Sequence, residues 1–120
     1  MKRPISEVKA EFFKTLSHPA RIRVLELLRD GKLSVGELIP KVGLEPSHLS
    51  QQLSALRRAN IVDSRKKGST VYYSITDNRI FELLEVAKQI IASSLTEARD
   101  LLEEMESPAY VKASPTTPDS

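Results

Sequence analysis

Residues 33–58 read Leu-Ser-Val-Gly-Glu-Leu-Ile-Pro-Lys-Val-Gly-Leu-Glu-Pro-Ser-His-Leu-Ser-Gln-Gln-Leu-Ser-Ala-Leu-Arg-Arg, and the rest of the chain is organised around them. Val35, Leu38, Ile39 and Val42 recur at i, i+3, i+4 and i+7, a spacing that predicts a short amphipathic helix. Gly43 follows at the place where a left-handed residue commonly ends a helix. Glu45-Pro46-Ser47 opens a second helix, because proline at the first helical turn gives up an N–H that has no partner there. Leu49, Leu53 and Leu56 give this second helix its buried face.

Its other face carries the chemistry. Ser47, His48, Ser50, Gln51, Gln52 and Ser54 project there, followed by Arg57 and Arg58, and no acid occurs between Ser47 and Arg58. Solvated helix faces ordinarily carry Glu and Lys, which favour helix and solubility. Short hydroxyls and amides instead match base edges: Gln can bond adenine bidentately, Ser can meet bases or phosphate, and Arg can hold phosphate. Two short helices joined by a tight turn, the second polar and acid-free, make a helix-turn-helix that reads double-stranded DNA. The plain alternative is a helical core whose exposed face is merely rich in Ser and Gln.

The whole chain bounds the remaining possibilities. Its 120 residues are enough for one domain with a modest core, and 40% hydrophobic with 28% charged residues is ordinary for a globular protein. No apolar run approaches the roughly 20 residues that a bilayer span needs. Met-Lys-Arg-Pro-Ile-Ser leads into an acid-bearing helix and not into an apolar signal core, so a cytoplasmic protein without a membrane partner is expected. With no cysteine, disulfides, thiolate metal sites and thiol catalysis are excluded. No nucleophile–base pairing, carboxylate dyad or phosphate loop occurs, so an enzyme is not expected, nor is a cofactor. The net charge of +2 hides an asymmetry: residues 1–76 hold 14 Lys and Arg against 7 Asp and Glu, whereas residues 77–120 hold 4 against 9. A basic body and an acidic last helix point to a polyanion for the body and another role for the helix.

Outward from the central stretch, residues 5–16 form a first helix with Ser6 as its N-cap and with Val8, Phe12, Phe13 and Leu16 as a broad apolar face. Ser17-His18-Pro19 caps and opens a second, Ala20 to Arg29, whose Ile22, Val24, Leu25, Leu27 and Leu28 make it nearly apolar all round. Asp30-Gly31 stops it, and Lys32-Leu33 is a short extended link. After Ala59-Asn60, residues 61–65 read as a strand, Lys66-Lys67-Gly68-Ser69 as a turn, and residues 70–75 as the returning strand. Arg65, Lys66, Lys67, Ser69 and Thr70 make this β-hairpin a basic wing suited to the phosphate backbone. The alternative is a solvated turn that discourages edge pairing.

Thr76-Asp77 caps a last helix running to about Met105. Ile80, Leu83, Leu84, Ala87, Ile90, Ile91, Leu95, Ala98, Leu101, Leu102 and Met105 form one apolar stripe along it. A body this small cannot cover so long a stripe, and the simplest partner is the same helix of a second subunit. A homodimer is expected, with Val8, Phe12 and Phe13 joining the interface. Residues 1–106 then constitute the DNA-binding and dimerisation domain, and 107–120, rich in Pro, Ser and Thr, a disordered tail.

Three segments resemble a known family. Residues 12–25, Phe-Phe-Lys-Thr-Leu-Ser-His-Pro-Ala-Arg-Ile-Arg-Val-Leu, are similar to the opening signature of the ArsR/SmtB-type winged-helix repressors. Residues 48–57 resemble their recognition helix, and residues 68–75 their wing return; the likeness spans about residues 8–95 and looks like an actinobacterial branch. The resemblance implies a mainly α fold with a small β-hairpin: a winged helix-turn-helix of four helices, two strands and a last helix. It also implies a homodimer placing its reading helices in successive major grooves of a palindromic operator, acting as a transcriptional repressor.

Many members of that family sense metals, and this chain departs from their ligand patterns. The cysteine pair of one sensor class would fall near Val35-Gly36-Glu37. The last-helix site of another matches at Asp77 alone, since Arg79, Ile90 and Ser93 stand at the remaining positions. His18 reads as a capping or packing residue and His48 as part of the DNA face, so no metal ligand is assigned. Two alternatives stay open: a metal-responsive regulator, for nickel for example, using a non-standard site or a partner protein, and a protein-interaction module that does not bind DNA.

Overall fold

A computed structural model describes residues 2–105 of the chain. The segment expected to be a tail, 107–120, lies outside the described residues. Two compact units are present, one up to Phe81 and one beginning at Glu82.

The first unit opens with α1 (Ile5–Leu16), which begins two residues earlier than a Ser6 cap would allow. Pro4 starts it instead: its fixed φ of −57° presents a carbonyl that accepts from Glu7 N at 3.0 Å and Val8 N at 3.3 Å. The second helix, α2 (Pro19–Leu27), gives way to a tight turn at Leu28–Asp30 and to Gly31, whose φ of 131° ends the run. His18 caps α2, its Nδ1 accepting from Ala20 N at 3.2 Å.

Two further helices make the helix-turn-helix. In α3 (Val35–Val42), Ser34 and Glu37 cap the N-terminus reciprocally: Ser34 Oγ accepts from Glu37 N at 3.1 Å, and Glu37 Oε1 accepts from Ser34 N at 2.9 Å. Donation to the Glu37 carboxylate, from the Ser34 backbone N–H first and from its hydroxyl second, holds that carboxyl below its ordinary pKa. Gly43 ends α3 in the left-handed conformation at φ 78°. Pro46 then sits in the first turn of α4 (Pro46–Arg58), and Asn60, at φ 61°, turns the chain away from its end.

The sheet is larger than a hairpin. The link expected at Lys32-Leu33 contains a strand, β1 (Leu33–Ser34), paired antiparallel with the returning strand. With β2 (Val62–Lys67) and β3 (Thr70–Ile75) the order is β1-β3-β2. The turn is also tighter than expected. Lys66 and Lys67 are strand residues paired with Val71 and Thr70, and Gly68-Ser69 alone forms the connection. Gly68 has φ 66°, the positive value that two-residue hairpin turns require for their twist to match the strands. A four-residue turn would forfeit both of those pairs.

The core lies between α2, α3, α4 and the inner face of the sheet. Leu16, Val24, Leu25, Leu28, Leu38, Leu49, Leu53, Leu56, Ile61, Val62 and Ile80 are buried in it. Ile80, assigned to the subunit interface from its place in the stripe, is only 7% exposed within its own chain and belongs to this core. Its helix, α5 (Arg79–Met105), has Asp77 as its cap, with Oδ1 accepting from Arg79 N at 3.0 Å. Thr76 does not cap it; its hydroxyl donates to the carbonyls of Asn60 and Ile61 and closes the hairpin end.

The second unit is the remainder of α5. Leu83, Leu84 and Ala87 are half-exposed, and Ile90, Ile91, Leu95, Ala98, Leu101 and Leu102 are exposed. On α1, Val8, Phe12 and Phe13 are likewise exposed, the two rings packed edge to face at 5.5 Å.

Candidate nucleic-acid interface

Burial of Leu49, Leu53 and Leu56 fixes the rotation of α4 about its axis, and so decides what it shows to solvent. Helical spacing places Ser47, Gln51, Ser54 and Arg58 opposite the leucines, with Ser50 and Arg57 along one margin and His48 along the other. All seven are exposed. Arg58 stands in the middle of this face, and its position relative to Leu49 and Leu56 is the signal that marks it. Ser54, Arg57 and Arg58 line a cleft of about 320 Å³ at the C-terminal end.

Gln52 differs from its neighbour. It lies on the side of α4 nearest α2, is half-buried, and its Oε1 accepts from Arg21 Nε at 2.8 Å. Arg21 also donates through Nη1 to Thr15 O at 3.1 Å, so one guanidinium joins the end of α1 to α4. Because Arg is donor-only, the oxygen of the Gln52 amide must face it. Bidentate pairing with adenine needs that oxygen as an acceptor, so the bond to Arg21 removes Gln52 from such a role while it holds.

The wing divides its cations between two faces. Register pairs Val62 with Ile75, Ser64 with Tyr73 and Lys66 with Val71, and since Val62 is buried this is the inner face, the one α4 packs against. Asp63, Arg65 and Lys67 alternate with these and stand on the outer face opposite Ser74, Tyr72 and Thr70. Ser69 is exposed at the tip and Thr70 is half-exposed beside it. Arg65 and Asp63 approach only to 3.9 Å and both are largely exposed, a pair worth little in water.

Lys32, which sequence reading passed over as part of a link, joins this outer face. Its Nζ lies 5.3 Å from the centre of the Tyr72 ring. Lys32, Arg65, Lys66, Lys67, Tyr72 and Ser74 line a cleft of about 250 Å³. A site for this kind of residue is visible only once β1 is known to lie beside β3. Among the described residues no three His, Cys, Asp or Glu side chains gather as metal ligands, and no helix is long and apolar enough to cross a membrane.

Comparison with known proteins agrees with this geometry. The family model described as "Bacterial regulatory protein, arsR family" matches residues 18–64, from the cap of α2 into β2. An uncharacterized HTH-type transcriptional regulator of Mycobacterium tuberculosis, Rv0081, is 52% identical over 103 residues, 85% of this chain and 90% of its own. Its crystal structure superposes with a TM-score of 0.74, covering 81% of this chain and 98% of that one. A biofilm growth-associated repressor of Agrobacterium fabrum is 38% identical over 93 residues, covering 78% of this chain and 79% of its own. The homodimeric winged helix-turn-helix domain of Mb0332 from Mycobacterium bovis, at 24% identity, shares the fold with a TM-score of 0.68, covering 78% of this chain and 86% of that one. The chain thus belongs to the ArsR family of winged helix-turn-helix transcriptional regulators.

Proposed function

We propose that the protein binds an inverted-repeat operator as a homodimer and represses by occupying it. One observation carries this reading: the exposed side of α4 holds Ser47, His48, Ser50, Gln51, Ser54, Arg57 and Arg58 without a single acid, while its leucines are wholly buried. Such a face is poorly adapted to water alone and well adapted to base edges and phosphates. Ser47, His48, Ser50 and Gln51 occupy the early turns, which enter deepest when a recognition helix docks in the major groove. Gln51 is the adenine reader, with its whole amide available. Ser54, Arg57 and Arg58 lie further along and meet the backbone. Arg65, Lys66, Lys67, Ser69 and Thr70 hold the backbone from the wing. The repressor name of the Agrobacterium relative supports the sign of regulation.

Dimerisation supplies the two-fold symmetry that an inverted repeat mirrors. Support for it comes from the exposed Phe12, Phe13, Ile90, Ile91 and Leu95, large apolar side chains that a lone chain leaves in water.

Titration against operator and scrambled duplexes at several salt concentrations tests the division between reading and holding. Gln51→Ala is expected to cost about 1–3 kcal/mol per half-site on operator and to relax preference at one position. Neutralising Lys66 and Lys67 is expected to weaken both duplexes alike and to lower the salt slope by roughly one per lost phosphate contact. Equal weakening of both duplexes by Gln51→Ala would show that α4 is not the reader. An unchanged salt slope in the lysine variant would reduce the wing to an ordinary hairpin.

A further inference from the structure

We propose that the cleft beside the outer face of the sheet, bounded by Lys32, Arg65, Lys66, Lys67, Tyr72 and Ser74, is a phosphate-binding site. It deepens the wing's role without coinciding with its tip, because Lys32 and Tyr72 come from β1's approach and the middle of β3.

Alternation and register assemble the site. Tyr72 stands at mid-sheet, opposite Arg65 on one side and Ser34 on the other, and Lys32 reaches over its ring from beyond Ser34. With Lys66 and Lys67 at the wing end, four flexible cations and two hydroxyls therefore border one depression. The acid on this face, Asp63, accepts from its neighbour Ser64 N at 2.9 Å and stands 3.9 Å from Arg65. It cannot neutralise four cations, so the depression keeps an excess of positive charge. An ammonium over a half-exposed ring is only weakly held, so Lys32 is free to turn towards an anion.

Size narrows the ligand. At about 250 Å³ the cleft falls below the roughly 300–1,000 Å³ typical of pockets that enclose whole small molecules. It suits a single phosphate group with its ester oxygens, presented either by a DNA strand passing the wing or by a free phosphorylated compound. Lys32 and Arg65 supply charge-assisted donors from opposite sides, and the hydroxyls of Tyr72 and Ser74 supply neutral ones between them.

Two titrations of the full chain test this. In the first, backbone amide resonances are followed while inorganic pyrophosphate is added without DNA, with chloride at matched ionic strength as the control. The amides of Lys32, Tyr72 and Ser74 should move together and saturate. Lys32→Gln should weaken that binding roughly tenfold, the loss of one charge-assisted hydrogen bond, and Tyr72→Phe should weaken it less while keeping the ring. In the second, wild type and Lys32→Gln are titrated with random-sequence duplex across salt concentrations. A salt slope lower by about one in Lys32→Gln identifies the DNA backbone as the source of the phosphate. An unchanged slope with the pyrophosphate response intact identifies a free phosphorylated ligand. Shifts that chloride reproduces, or that Lys32→Gln leaves unaltered, overturn the site. Failure of the DNA reading is separable: wild type would then show no salt-dependent duplex binding, and the pyrophosphate arm would still decide the cleft. Lys32 is exposed, so its replacement leaves the core intact.

Discussion

Gln51 and Gln52 are adjacent in sequence, yet a helix turns them about 100° apart, and that rotation gives them different work. Gln51 is exposed; Gln52 accepts a 2.8 Å bond from Arg21, a residue 31 positions away. No local pattern distinguishes the two, because the distinction depends on which side of α4 meets α2. The leucine positions alone indicate that Gln52 lies nearer the core, but they do not identify Arg21 as its partner. Removing the Gln52 amide would leave Arg21 held by its bond to Thr15 O. Gln52→Ala is therefore expected to destabilise the fold by about 1–3 kcal/mol, the range for a hydrogen bond to a charged group. It should also weaken operator and scrambled duplexes together, since it loosens the seating of the whole helix. Gln51→Ala should leave thermal stability unchanged and alter discrimination alone. Thermal melts of both variants beside the two-duplex titration check the pair, and a Gln52→Ala protein that melts like wild type but loses preference at one base would make Gln52 a reader.

Helix ends account for most of what could be read from the chain at the scale of elements. Pro46 at the start of α4, Gly43 after α3 and Asn60 after α4 each impose a backbone conformation locally, so their positions were legible without tertiary information. A two-residue strand such as β1 has no periodicity to read; it exists because Leu33 and Ser34 find Tyr73 and Tyr72 beside them. The same limit hid the wing cleft, which needs β1 to bring Lys32 over Tyr72. Ser34 serves both the sheet and the cap of α3, and Ser34→Ala is expected to cost about 1 kcal/mol, measurable as a lowered urea midpoint. The cap of α5 has a pH signature. Arg79 donates to Asp77 first through its guanidinium and then through its backbone N–H, holding the carboxyl at about 2. A carboxyl whose folded pKa is depressed contributes stability above its unfolded pKa and loses it as pH falls through the folded value. That contribution should fade from about pH 4 towards pH 2. Asp77→Asn should remove this part of the acid dependence while leaving the neutral-pH fold in place, which urea unfolding at a series of pH values would reveal. An identical acid profile in the variant would mean that the cap contributes nothing.

At the scale of the whole molecule, charge and apolar surface are distributed in opposite ways along the chain. The body through residue 76 carries the basic excess, and α5 carries acids with the longest exposed apolar stripe. That stripe was legible because seven turns of 3.6-residue periodicity outweigh any local ambiguity; the interface role given to Ile80 was not, because burial at the helix start depends on the body it meets. Ile91 and Leu95 decide whether the stripe is a subunit interface. They are 59% and 66% exposed in the single chain, so neither supports its fold, and both would be covered in a dimer built on α5. Ile91→Glu with Leu95→Glu would bury two unpaired carboxylates at such an interface, in a helix already rich in acids, at a cost of several kcal/mol each. The expected product is a monomer that keeps its helical circular dichroism and the melting of the body, but sediments at half the mass. Its operator affinity should fall about 10²–10⁴-fold, because each half-site then binds without the effective concentration that the second subunit provides. Its affinity for an isolated half-site should stay near that of one wild-type subunit, which separates lost dimerisation from a damaged reading helix. A double variant that still sediments as a dimer would place the interface elsewhere, and a wild-type chain that is monomeric at micromolar concentration would leave the stripe without the partner proposed for it.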